Sequence, residues 1–331
     1  MHRRTLYSLI AVLVLLALLG GALYLRRVAP PEVARLLPES DGMVYVSVQP
    51  LRLATHFDRS PVTHSPEYQR FMDATGIVPE RDLDAVAFAL HRMDDPNGPN
   101  GPVGYSEVFE GHFDGGRLAR YLGSVASGRE QYAGHEIFMV PVEGEAGKSG
   151  RQLRVTQLGY DTIAASNMPT AEQIHSILDR HRSAASPFGG SSLLSARYRD
   201  VPLLSSVWGI GHVGLPFSER GRIQIFGLEL PLAEDTTFVA SVRYVGSIHL
   251  RVEEIAPSEA EATKTTQTLG LLLGAMRALE GLRQGPVEDA ELKRALDSLK
   301  VEQRRDRAVV TATIPLELAK RMSGTDQISQ R

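Results

Sequence analysis

The sequence predicts an α+β fold in which an N-terminal transmembrane helix precedes antiparallel sheets that carry helices on one face. Three observations lead to this prediction. Residues Leu6 to Leu25 contain no charged residue. Short segments further along the chain alternate apolar and polar residues with a period of two, which is typical of half-buried strands. Strand and helix patterns recur in a similar order in the two halves of the remaining chain, which predicts two repeated strand–strand–helix halves.

The charge-free run Leu6–Leu25 is long enough to cross a bilayer. A helix of this length covers about 30 Å, the thickness of the hydrocarbon core. We therefore expect a transmembrane signal anchor over residues 6–25 with the lipid bilayer as its partner, after a cytoplasmic tail over residues 1–5. The alternative is a cleaved signal peptide, because Gly20 and Ala22 fit a processing site. An anchor places the protein in the inner membrane as a single-pass protein, with its C-terminal domain in the periplasm or outside the cell.

The part of the chain that follows this segment has more acidic than basic residues and no cysteine. Without the four arginines that flank the apolar run, 32 basic residues stand against 39 acidic ones, a net charge of −7. This balance argues against a nucleic-acid partner, because such partners reward clustered Lys and Arg. The chain contains no cysteine, which excludes disulfides, thiolate nucleophiles and cysteine-ligated metal sites. The composition is compatible with an oxidising compartment.

Residue patterns divide the chain into segments. A Pro-containing spacer covers residues 26–42, and the alternation Val44, Val46, Val48 opens a strand at Met43. Ser65, Pro66 and Glu67 form the cap and first turn of a helix. A strand followed by a proline and a short helix occurs before Pro169 and again before Pro315. These patterns predict a first α+β half over residues 43–185, a second over 186–323 and a disordered tail over 324–331.

No motif in the sequence identifies a reaction. The run Gly144 to Gly150 contains Gly-Lys-Ser, but it lacks the glycine spacing and the following helix of a phosphate-binding loop. The weak candidates for an enzyme site are Glu110, His112 and Asp114, since His112 and Asp114 alternate onto one face of a strand end and Glu110 could add a third ligand. Such a set is more often a solvated strand face. We therefore predict no catalytic residue, no metal site and no cofactor.

The apolar run Leu269 to Leu282 is the most unusual stretch after the N-terminal segment. It contains Arg277 and Glu280 and is too short to span a bilayer. Gly270 and Gly274 form a small-xxx-small pair that would let another helix approach closely. The favoured interpretation is a core helix laid on a sheet, and the alternatives are a self-association face or a wall of an apolar cavity. The candidate interaction face consists of Leu269, Gly270, Leu273, Gly274, Met276 and Arg277.

Four segments carry a resemblance: LLPESDGMVYVSV, TGIVPERDLDAVAFAL, YAGHEIF and IPLELAKRM. Together with the N-terminal run, they resemble a loose group of uncharacterised, membrane-anchored exported bacterial proteins. The resemblance implies export and a repeated strand and helix pattern, and it carries no catalytic motif.

The sequence therefore favours a membrane-tethered, non-enzymatic binding or scaffold module of the bacterial cell envelope. Its expected partner is an envelope protein or an apolar ligand. The alternative is an envelope hydrolase or a metal-dependent enzyme whose site is assembled only in the fold.

Overall fold

The computed structural model describes residues 12–21, 24, 29–55, 57–59, 64–98, 101–142, 151–183, 189–212, 222–225, 228–233, 235–282, 290–316 and 318. The run at residues 144–150 and the predicted tail at residues 324–331 lie outside the described residues.

Helices and strands alternate along the described chain. The helices are α1 (residues 12–21), α2 (Glu32–Leu36), α3 (Val48–Thr55), α4 (Pro66–Thr75), α5 (Pro79–Asp82), α6 (Gly115–Val125), α7 (Glu172–Arg182), α8 (Ser192–Arg197), α9 (Glu259–Leu282) and α10 (Ala290–Ser298). The strands are β1 (Gly42–Ser47), β2 (Leu83–Arg92), β3 (Val103–Gly111), β4 (Gly128–Tyr132), β5 (His135–Val142), β6 (Arg151–Gln157), β7 (Thr162–Ser166), β8 (Val207–His212), β9 (Arg222–Ile225), β10 (Leu228–Pro231), β11 (Thr237–Tyr244), β12 (Ile248–Ile255), β13 (Lys300–Arg304) and β14 (Arg307–Ile314).

Twelve of these strands form one antiparallel sheet. Its order is β13-β14-β12-β11-β8-β1-β2-β3-β7-β6-β5-β4, and β9 pairs with β10 in a separate hairpin. The strands of both predicted halves therefore belong to a single sheet and do not form separate ones. The two sets meet where β1 pairs with β8, and there Tyr45 lies opposite Trp208. Counted outward from this pair, the strands run β1-β2-β3-β7-β6 on one side and β8-β11-β12-β14-β13 on the other. On each side, the first three strands follow the order of the chain and the next two follow the reverse order.

One face of the sheet, here called the buried face, carries the main core. Met43 and Tyr45 on β1, Trp208 on β8 and Val239 on β11 are all at most 9% exposed. Three alanines on β2, at positions 85, 87 and 89, leave room for α2 to approach closely. Helices α2, α7 and α8 pack on this face and contribute Leu37, Ile174, Ile177, Leu178 and Leu194 to the same cluster.

Helices also pack on the opposite face. There α6 places Leu118 and Leu122 against Phe138 of β5 and Ile163 of β7. At the other side of the sheet, Thr265 of α9 donates a hydrogen bond to Glu254 of β12 at 3.1 Å. The prediction of helices on one face is therefore wrong. The physical reason is that β5 and β7 are apolar at consecutive positions, so both of their faces must be covered.

The predicted transmembrane anchor is also corrected. In the part of the chain that the structure describes, no helix is both long enough and apolar enough to cross a membrane. Within the predicted span, residues 12–21 and residue 24 are described, and they are helical. Residues 6–11, 22, 23 and 25 of that span lie outside the described residues.

Candidate functional site

The three weak enzyme candidates lie at the end of β3 and point in different directions. Glu110 shares the buried face with Val108, and burial, followed by the charges of Asp161, Glu32 and Asp84, raises its pKa. The side chain of His112 is 83% exposed, and its Nδ1 lies 3.3 Å from Asp84. Asp114 accepts a hydrogen bond from the backbone N–H of Arg117 at 3.0 Å and caps α6. The structure therefore places these three residues around the strand end and does not bring them to a common point.

The candidate interaction face on α9 is split between the two sides of the helix. Leu273 is 7% exposed, Leu269 and Met276 are half-buried, and Gly270, Gly274 and Arg277 are exposed. A methyl group added at Gly270 or Gly274 would meet no atom within 4 Å. The guanidinium of Arg277 donates to the carbonyl oxygens of Leu296 and Leu299. Part of the predicted face is thus turned toward the sheet, and the glycines face outward.

The fold assembles one polar cluster that sequence reasoning missed. His175 of α7 stacks on Tyr132 of β4 with ring centroids 3.7 Å apart and an angle of 5° between the rings. Its Nε2 lies 2.6 Å from Glu130, and the Tyr132 hydroxyl donates to Asp179 at 2.9 Å. This cluster is hard to predict from the sequence, because 45 residues separate Glu130 from His175 and β4 carries no strong strand pattern.

Tyr132, His175 and Asp179 line an open groove of about 720 Å³ together with Glu172, Ser176, Arg180 and Ser183. Arg180 is tied to Glu39 at 2.8 Å, and Arg182 is tied to Asp179 at 3.2 Å. His175, Asp179 and Arg180 of the groove therefore each take part in an ion pair or hydrogen bond, which fits a role in fastening α7 to the edge of the sheet. Within the described residues, no group of three His, Asp or Glu side chains is arranged to hold a metal ion.

The central strands are unusual on the face opposite the buried face. On β1, β2, β8, β11 and β12, most of the side chains that alternate with the core residues are apolar and only half-buried, whereas Val86 on β2 is 6% exposed. We call this surface the trough, and its residues are Val44, Val46, Phe88, Leu90, Val207, Phe238, Ala240, Val242 and Leu250. The ladder places Val44 opposite Phe88 and Gly209, and Val207 opposite Val46 and Val242. The residues of the trough therefore form one continuous surface.

Helices bound the trough on two sides. The α6 cluster covers β5, β6 and β7 beyond β3, and α9 packs on β13 and β14 beyond β12. Near the start of β2, Arg52 of α3 donates to the carbonyl oxygens of Glu80 and Leu83. On the α9 side, Val252 of β12 lies opposite Ala240 and is 39% exposed.

The carboxyl group of Glu107 lies beside the trough. Glu107 of β3 pairs with Phe88 of β2 on one side and with Ala165 of β7 on the other. Burial among these apolar neighbours raises the pKa of Glu107 to about 7. Sequence reasoning missed this residue, because a Glu in an alternating strand ordinarily faces solvent.

Comparison with known proteins finds structural similarity at low sequence identity. No family model matches the chain, and no curated protein is significantly similar to it. Three crystal forms of the protein TP0453 resemble it over most of its length. Form III has a TM-score of 0.49 and 12% identity, and the match covers 88% of this chain and 96% of that chain. Form IV has a TM-score of 0.44 and 11% identity over 87% and 95%. Form I has a TM-score of 0.42 and 9% identity over 90% and 98%. These values are too low to transfer a function, and the resemblance to exported bacterial proteins stays a prediction.

Proposed function

We propose that this protein is a non-enzymatic binding protein that holds an apolar chain in the trough. The observation that carries the proposal is the contrast between the two faces of the same strands. Tyr45 and Trp208 are 9% and 2% exposed, whereas Val44, Val46 and Val207 beside them are only half-buried. Apolar surface left in contact with water costs about 25 cal/mol per Å², so a ligand that covers the trough gains this free energy.

The shape of the surface supports a ligand rather than a flat protein partner. Helices on both sides raise walls beside the central strands, and apolar sites lined by a few polar groups are typical of small-molecule binding. The trough supplies apolar contact along its floor and one carboxyl group at its margin.

The alternative of an envelope hydrolase or a metal-dependent enzyme stays a prediction. Glu110, His112 and Asp114 make separate local contacts, and His175 of the groove is paired with Glu130. No geometry among the described residues favours a particular reaction over binding.

Binding to the trough is tested with a neutral apolar dye whose emission rises in an apolar site. We expect the wild-type protein to bind the dye and Val252→Lys to weaken binding at least fivefold, because an ammonium group would enter the apolar surface. Val245→Lys is the matched control, since Val245 is 66% exposed in the turn between β11 and β12. Circular dichroism checks that both variants fold. Absence of dye binding, or equal binding by all three proteins, would show that the trough is not a ligand site.

We also propose that the protein acts in the cell envelope. The proposal rests on the resemblance to exported bacterial proteins, and the absence of cysteine is compatible with it. Fractionation of cells that express the tagged full-length chain tests it, and recovery of the folded protein in the cytoplasm alone would overturn it.

A further inference from the structure

The carboxyl group at the margin of the trough needs a partner that the described chain does not supply. Glu107 lies on the same face as Phe88, Ala165 and Phe109, and it is half-buried among them. Among the described residues, no side chain or backbone group forms a hydrogen bond or an ion pair with it. An ionised carboxylate in apolar surroundings is costly unless it is paired.

A second carboxyl group on the same face shows the contrast. Glu254 accepts a hydrogen bond from Thr265 and is covered by α9, which leaves it 3% exposed. Glu107 is only half-buried, and among the described residues no helix donates a hydrogen bond to it. The charge of Glu107 acts on Tyr105 of the same strand: burial raises the pKa of Tyr105, the charge of Glu107 raises it further, and the charge of Arg151 of β6 lowers it.

We propose that Glu107 binds the ammonium group of a cationic amphiphile whose alkyl chain lies in the trough. The inference rests on the proposed binding function and adds the chemical class of the ligand. An ammonium group donates charge-assisted hydrogen bonds to a carboxylate, and these are about twice as strong as neutral ones. The alkyl chain then covers Phe88, Val44 and the neighbouring trough residues. A ligand that ends in a carboxylate would instead place two like charges side by side.

The test compares three ligands that share one alkyl chain and differ only in the head group. Dodecylammonium, dodecanol and dodecanoate, each below its micelle-forming concentration, are used to displace the apolar dye at pH 8. We expect dodecylammonium to bind the wild-type protein about tenfold more tightly than dodecanol, and dodecanoate to bind most weakly. Glu107→Gln removes the charge and keeps the shape, so it should abolish the preference for dodecylammonium over dodecanol.

Two controls make the result specific. Glu110→Gln changes a carboxyl group on the same strand that points to the buried face, so it should preserve the order of the three ligands. In the wild-type protein, the preference for dodecylammonium should increase as the pH rises from 6 to 8, because Glu107 ionises with a pKa of about 7. Glu107→Met is a second variant that also removes the charge, and it must behave as Glu107→Gln does.

The outcomes separate the two proposals. If none of the three ligands displaces the dye and the dye itself does not bind, the proposed function fails. The inference about Glu107 fails if all three ligands bind the wild-type protein equally, or if Glu107→Gln and Glu107→Met keep the preference for dodecylammonium. In either case the trough binds apolar chains, but Glu107 does not distinguish their head groups. Tightest binding by dodecanoate would equally overturn the inference.

Discussion

Two neighbouring glutamates on β12, Glu253 and Glu254, have different surroundings because successive residues of a strand point to opposite faces of the sheet. Glu253 and Asp200 lie on the same side of the sheet, and Arg307 contacts both of them. The guanidinium of Arg307 lies 2.9 Å from Glu253 and 3.0 Å from Asp200. Arg251 donates a further hydrogen bond to Glu253 at 2.6 Å. Glu254 points to the opposite face and accepts one hydrogen bond from Thr265, while its second carboxyl oxygen is buried without a partner. One glutamate thus lies among arginine side chains and the other lies in an apolar setting.

Glu254→Gln should make the protein less sensitive to rising pH. Burial raises the pKa of Glu254 from 4.5 to about 7. The folded state therefore holds the proton more tightly than the unfolded state, so stability is complete below pH 4.5 and is lost as the pH rises to about 7. A shift of this size corresponds to a loss on the order of 3 kcal/mol. Glutamine cannot ionise, so the melting temperature of the variant should fall less than that of the wild type between pH 4.5 and 8.

Glu253→Gln is the matched control one residue away. Since this substitution removes a paired charge that is 3% exposed and leaves Arg307 with a weaker partner, it should destabilise the protein at pH 7. Parallel pH profiles for the wild type and Glu254→Gln would contradict the assignment of a neutral Glu254 to the folded state.

At the scale of single elements, α9 tests the interpretation of the apolar run. Leu273 is 7% exposed and Leu271 is 77% exposed, although the two leucines are only two residues apart. The helix therefore has one side on the sheet and an outer side that carries Leu271, Gly270 and Gly274. Self-association through that outer side stays a prediction.

Leu273→Ala should destabilise the protein by about 2–5 kcal/mol, because it removes a buried side chain and leaves a cavity. Leu271→Ala makes the same chemical change on the exposed side and should alter stability by less than about 0.5 kcal/mol. Urea unfolding of both variants measures the difference. Equal stabilities, or a loss of self-association in Leu273→Ala without a loss of stability, would show that Leu273 belongs to an interface and not to the core.

Local signals predicted individual elements well. Ser65 was predicted as a helix cap, and its hydroxyl accepts a hydrogen bond from Tyr68 at 3.3 Å, while Gly76 ends α4 with a left-handed φ of 76°. Gly246, with a left-handed φ of 72°, lies in the turn between β11 and β12. In contrast, β4 was missed, because Gly128 to Tyr132 has neither strong alternation nor β-branched residues and is held by its pairing with β5.

At the scale of the whole molecule, the order of the strands in the sheet could not be predicted from local patterns. The central pair joins residues 42–46 to residues 207–211, and no periodicity in the sequence indicates which strands become neighbours. The trough has the same origin, since it combines β1 and β2 with β8 and β11 from the second half of the chain. Glu107 gained its unusual setting only when Phe88 and Ala165 came to flank it.

The single sheet predicts that the two halves unfold together. Trp208 is the only tryptophan of the chain and stacks on Tyr45 at 5.4 Å where the two sets of strands meet. Its fluorescence should therefore change at the same urea concentration as the circular dichroism of the whole sheet. Two separated transitions would show that the halves are independent domains that merely touch at β1 and β8.

The size of the sheet also limits which molecules can lie in the trough. Neighbouring strands in a sheet are rotated by about 20°, so the four junctions from β11 to β3 accumulate roughly 80° over about 19 Å. A surface with this twist is a saddle. A rigid, fused-ring molecule laid across it would touch the floor at its centre and lose contact at both ends, whereas an alkyl chain can rotate about each bond and follow the curvature. The trough should therefore select ligands by flexibility as well as by apolar area, and a sterol should compete poorly with a straight chain of equal surface.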